Sequence, residues 1–168
     1  MRLILLFAVF ALLGLAFETA NFHLISFRPL LPNLIVILAV DLGFRHHSVT
    51  AALMAFAIGY ATDAFAGSHP GLNAFMITLI FIVCYEISSR LLVTNAFVGA
   101  TVVFFGVILT ALGAIAISAG IAAVGQSGGI MPTLMMQAGI SAIIAPFMFS
   151  ILARCKRAIG LSVAHARE

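Results

Sequence analysis

The sequence predicts an all-α integral membrane protein, one domain over residues 1–168 with six transmembrane helices and both termini cytoplasmic. Three observations carry that expectation. Of the 168 residues 64% are hydrophobic and only 8% charged, where soluble domains run near about a quarter charged, and the mean hydropathy is +1.25. Apolar runs close to the ~20 residues that cross a bilayer recur between clusters of polar residues, Pro and Gly. When those runs are threaded in order, Lys and Arg collect on one side.

The first span falls near residues 3–20, after Arg2. A cleavable signal would need small residues at its end, and Glu18 and Asn21 stand there instead, so the segment is expected to stay as a helix. The second, near 30–44, opens at Pro32-Asn33 and would extend only about 22 Å against about 30 Å of hydrocarbon. The third and fourth, near 48–65 and 71–91, are joined by a short turn of Gly67, Ser68, His69, Pro70 and Gly71. The fifth, near 97–123, is longer than a bilayer requires and must tilt, kink or protrude. The sixth, near 132–153, runs into the basic stretch Arg154-Cys155-Lys156-Arg157.

Charge placement decides whether the short second segment crosses. With six crossings and both termini inside, the cytoplasmic side takes Arg2, Arg45, Arg90, Arg154, Lys156, Arg157 and Arg167, and only Arg28 lies outside. A second segment that failed to cross would carry Arg45, Arg90 and the Arg154–Arg157 cluster outside and reverse the bias. The acids all sit near span ends, as the cost of a carboxylate at the bilayer centre requires. Asp41 precedes Arg45 by four residues and Glu86 precedes Arg90 by four, the favourable order for a helical ion pair anchoring the cytoplasmic boundary.

Catalysis has no starting point in this chain. It holds no Ser-His-Asp set, no His-Glu-x-x-His helix, no phosphate-binding Gly loop and no paired intramembrane carboxylates. His46 and His47 are adjacent and point about 100° apart on a helix, so they cannot chelate as an i, i+4 pair does. His23, His69 and His165 stand alone, and Cys84 and Cys155 have no partner at metal spacing, so neither a metal nor a cofactor is expected. The net charge of +3 forms no basic stripe and gives no reason to expect nucleic acid.

Two patterns mark candidate structural sites. Gly59 and Asp63 share one helix face, and the Gly67–Gly71 turn returns the chain to Asn73. Asp63 is placed to accept hydrogen bonds from that turn or to cap the following helix, with Asn73 as a polar partner across the hairpin. On the fifth span Gly99, Gly106, Gly113 and Gly120 recur every seven residues, which returns close to one face. Such a stripe is expected to let a neighbouring helix backbone approach.

Pro32-Asn33 opening an apolar segment, the loop after Phe44, and the run Gly59-x-x-x-Asp63-x-x-x-Gly67-x-x-x-Gly71-x-x-Ala74 followed by an apolar helix resemble the rod shape-determining protein MreD family of bacterial inner-membrane proteins. Length, hydropathy and the short basic C-terminal tail agree with it. The resemblance implies a non-enzymatic part of the cell-elongation machinery that helps organise lateral peptidoglycan synthesis. The partners it implies are MreC, the MreB filament, RodA and its partner transpeptidase. It also implies a fold like that of the substrate-binding subunits of energy-coupling-factor vitamin transporters.

Such a vitamin-binding subunit is the alternative function, since it too is a six-helix chain of this size. Ala16-x-x-x-Ala20 resembles the small-residue motif by which those subunits meet their membrane partner. A pocket near the outer face, drawing on Glu18, Asp63, His69 and Gln126, is what that alternative needs. An intramembrane enzyme using Asp63 and His69 is a third class, weighed against the plain reading that two polar residues beside a turn belong to the turn.

Overall fold

The structure is a computed structural model that describes residues 2–20, 31–46, 48–66, 71–90, 96–119 and 131–158. Among the described residues there are six helices and no strand. They are α1 (Arg2–Ala20), α2 (Leu34–Arg45), α3 (Val49–Ala66), α4 (Leu72–Arg90), α5 (Ala96–Ala119) and α6 (Met131–Ala158). Three stretches are long and apolar enough to cross a membrane, Leu72–Ser89, Phe97–Ala116 and Met131–Arg157, while Leu6–Phe17 and Val49–Phe65 are shorter apolar stretches.

The surface has the character of a protein solvated by lipid. Leu12, Leu13, Leu53, Phe56, Phe75, Phe97, Phe105, Ile143 and Phe147 are all exposed, far more apolar surface than a soluble monomer tolerates. On α3 the buried positions include the small residues Ala51, Ala55 and Gly59, beside Ile58 and Asp63. That arrangement puts bulk toward lipid and small residues where helices must touch.

The short α2 is the centre of the bundle and packs against every other helix. Its residues from Ile35 to Gly43 are all buried, as a helix apolar on all sides must be. The sequence placed its start near residue 30; the helix begins at Leu34 because Pro32 and its preceding residue disfavour helix and Asn33 supplies the cap. The Asn33 Oδ1 accepts from the Val36 N–H at 3.0 Å. The lead-in is tied to α6, with the Asn33 N–H donating to Ser141 Oγ at 3.0 Å and Gln137 Nε2 donating to the Leu31 carbonyl at 3.4 Å. With 12 residues, α2 is about 18 Å long.

Contacts along the helices give their directions. Gly59 meets Ala74 and Asp63 meets Gly71, so α3 and α4 are antiparallel. Asn33 meets Ser141 and Asp41 meets Lys156, so α2 and α6 are parallel. Gly43 meets Cys84 and the Phe44 carbonyl accepts from Ser88, so α2 and α4 are parallel too. Gly14 lies against Ile35 while Phe7 lies against His46, which makes α1 antiparallel to α2.

Candidate functional site

The bundle has two chemically different ends, and the first is built around Asp63. Gly71 precedes α4 at a φ of 94°, a left-handed conformation suited to glycine. A glycine at that position has no side chain to cap the helix that follows. Asp63, from α3, supplies the missing acceptor. Its carboxylate receives the N–H groups of Gly71 at 2.9 Å, Asn73 at 3.0 Å and Ala74 at 3.1 Å. The first-turn donors of α4 are therefore capped from the neighbouring helix, with a negative charge at the positive end of its dipole.

Gly59 lies one turn before Asp63 and brings the two helices together. A Cβ there would sit 2.6 Å from the Ala74 Cα and 2.7 Å from the Asn73 carbonyl oxygen. Gly59, Asp63, Gly71 and Asn73 are thus gathered at one corner, while Gly67 lies outside the described residues. Asn73 contributes its backbone N–H to Asp63.

The glycines of α5 do something different from what their spacing suggested. Gly99 faces the ring of Phe149 on α6, Gly106 faces Val36 on α2 and Ile80 on α4, and Gly113 faces Met76 on α4. Each makes room for side chains, and no single helix backbone runs along them. A seven-residue step drifts by about 20° per repeat, so successive glycines turn toward different neighbours. Close approach to backbone occurs at Gly59 and also at Gly43, where a Cβ would meet the Phe81 carbonyl oxygen at 2.9 Å. Gly120 lies outside the described residues.

The opposite end is built on charge. Asp41, expected as a boundary anchor for Arg45, is 1% exposed and lies between two cations. Arg45 Nε is 2.8 Å from one carboxylate oxygen and Lys156 Nζ is 2.5 Å from the other. Lys156 is buried as well and its ammonium lies 4.9 Å from the centroid of Phe7, a cation–π contact. Phe7 in turn meets the His46 ring edge-on at 6.0 Å. One cluster thereby joins α1, α2 and α6, leaving Arg154 and Arg157 exposed. The arrangement neutralises two charges that would be costly in an apolar interior.

Sequence reasoning missed Lys156, which had been grouped with its basic neighbours. The signal was its register: Leu134, Ala138, Ser141, Ala145, Phe149 and Leu152 are buried at steps of three and four, and Lys156 continues that face. Cys84 is buried under Gly43 and Cys155 is half-buried. His23, His47, His69, His165, Arg28 and Gln126 lie outside the described residues, as does the Arg90 side chain needed to pair with Glu86. The outer pocket drawn on Glu18, Asp63, His69 and Gln126 falls largely there too. Among the described residues, no group of His, Cys, Asp and Glu is placed to hold a metal.

Beside the Asp63 corner a partly open cavity of about 200 Å³ lies between α2, α3, α4, α5 and α6. Among the described residues its polar lining is Asn33, Thr62, Asn73, Thr110 and Gln137, all uncharged, set among Val36, Ile77 and Val107.

The family model for the rod shape-determining protein MreD matches residues 1–155. The chain therefore belongs to the MreD family and is a rod shape-determining membrane protein. No curated protein and no solved structure matches it.

Proposed function

We propose that this MreD-family chain is a non-enzymatic, multi-pass component of the bacterial inner membrane that works in the cell-elongation complex. In this reading it meets MreC, with MreB, RodA and the partner transpeptidase in the same assembly, and helps organise lateral peptidoglycan synthesis. The observation that carries the reading is the family match over residues 1–155. The geometry supports it, since the polar groups inside the bundle cap helices and pair charges, roles that hold a scaffold together.

Six crossings with both termini cytoplasmic belong to the same proposal, as does a fold like that of the transporter substrate-binding subunits. The alternating directions of α1, α2, α3 and α4 favour successive crossings. The gathering of Arg45, Arg154, Lys156 and Arg157 at one end favours that end as cytoplasmic. The decisive experiment is to tag the C-terminus, extract the protein from its own bacterium in mild detergent and identify what copurifies. MreC, RodA or the transpeptidase is the expected catch. Paired ATPases with a transmembrane coupling subunit would overturn the reading in favour of vitamin capture.

A further inference from the structure

Among the described residues, the cavity beside Asp63 is lined by five side chains that carry amide or hydroxyl groups and by no ionisable one. Several of those groups are partly committed to the protein, and what remains defines a recognition pattern. Thr62 donates its hydroxyl hydrogen to the Ile58 carbonyl, and Thr110 donates its own to the Gly106 and Val107 carbonyls. Both oxygens are left as acceptors. Asn33 Oδ1 is taken by Val36 N–H and Gln137 Nε2 donates to the Leu31 carbonyl, which leaves the Asn33 amide hydrogens and the Gln137 carbonyl oxygen. Asn73 is the exception: among the described residues nothing bonds its side-chain amide, so both its ends remain for an occupant.

A set of two amide donors and four acceptors around an apolar wall suits an uncharged group that both donates and accepts. A carboxylate, phosphate or ammonium would enter with no counter-charge among the described lining residues and would give up part of its hydration for uncharged partners. The volume of about 200 Å³ is below the ~300–1,000 Å³ of pockets that bury whole drug-sized ligands, so the occupant is fragment-sized.

We propose that this cavity is a binding site for one small uncharged amide or polyol group, with Asn73 as its principal contact. The group would come as a free molecule or as the headgroup of a neutral lipid. The inference stands apart from the Rod-complex reading, and either can fail alone.

The test uses the full chain in lipid nanodiscs and saturation-transfer NMR, with acetamide and glucose as uncharged probes and acetate and glucuronate as their charged counterparts. Nanodiscs carrying a monoglucosyl diacylglycerol, assayed for displacement of free glucose, separate the lipid source from the soluble one. Acetamide or glucose should give saturation transfer at least fivefold above its charged counterpart, and Asn73→Leu should abolish the difference. Because the Asn73 side chain bonds nothing among the described residues, that variant is expected to fold; Thr110→Val, which removes one acceptor, should reduce the signal in the same direction. Equal transfer to the charged probes, or wild-type transfer in both variants, would overturn the proposal.

Discussion

Replacing Asp63 by Ala removes the acceptor that caps α4 from α3, and a lower bound on its cost follows from where the α4 first-turn donors Gly71, Asn73 and Ala74 lie. Ala74 is fully buried, so its N–H would lose its partner without water to replace it, at about 1–3 kcal/mol. Gly71 and Asn73 are only part-buried, so water can reach their N–H groups and the remaining loss is that of an N-cap, about 0.5–2 kcal/mol. Together these predict a destabilisation of about 1.5–5 kcal/mol, a large fraction of the ~5–15 kcal/mol that holds a typical domain. The assay is reversible unfolding of the full chain in mixed micelles, titrated with a denaturing detergent and followed by helical circular dichroism. Asp63→Asn is the internal control. Its amide oxygen can still serve Gly71 and Ala74, while its NH₂ would face the Asn73 N–H, so it should fall between wild type and Asp63→Ala. An Asp63→Ala protein within about 0.5 kcal/mol of wild type would refute the capping argument, because it would lie below every estimate used to build it. If that stable variant also failed to support rod shape in cells, the carboxylate would belong to a partner contact instead.

Gly59→Ala should cost about 1–3 kcal/mol by forcing α3 away from α4, whereas Gly139→Ala, which meets open space, should be neutral or mildly stabilising; equal effects in the same titration would refute the close-contact argument. Lys156→Met leaves Asp41 buried with Arg45 as its remaining cation, so it should lose up to about 3–5 kcal/mol, and Asp41→Leu with Lys156→Met should recover most of the loss. A double variant no better than the single one would show that the pair is not what sets the cost. In a chain whose native cysteines are replaced by Ser, His69→Cys and Gln126→Cys should react with a membrane-impermeant thiol reagent applied from outside, and His47→Cys should not. Labelling of His47→Cys from outside would sink six crossings with both termini inside.

Much of the helical layout is legible in the sequence because a bilayer constrains apolar length so strongly. Breaks at Pro32, at Gly67–Gly71 and beside Arg90 fall close to the helix ends at Leu34, Ala66, Leu72 and Arg90, since Pro, Gly and charge all interrupt a buried helix. The central position of α2 is not legible in the same way. Its shortness suggested an uncertain crossing, yet a helix of 12 residues buried from Ile35 to Gly43 is short because neighbouring helices, not lipid, surround it. Length measures hydrophobic thickness only for a helix that lipid touches.

The two polar centres differ in legibility for a related reason. Asp63 and its capped turn are close in sequence, so eight to eleven positions separate the carboxylate from the amides it holds, and turn chemistry reveals such a local partnership. Asp41 and Lys156 are separated by 115 positions, and no local rule joins them. What the sequence does contain is the inward face of α6, on which Lys156 follows Leu152 by four residues while Arg154 and Arg157 fall off it. A lysine in register with a buried apolar stripe implies a buried acid on another helix, because an unpaired ammonium there would be expelled. Asp41 is the acid that meets that demand. It lies on the helix that touches all the others, so one ion pair fixes the end of α6 against the centre of the bundle.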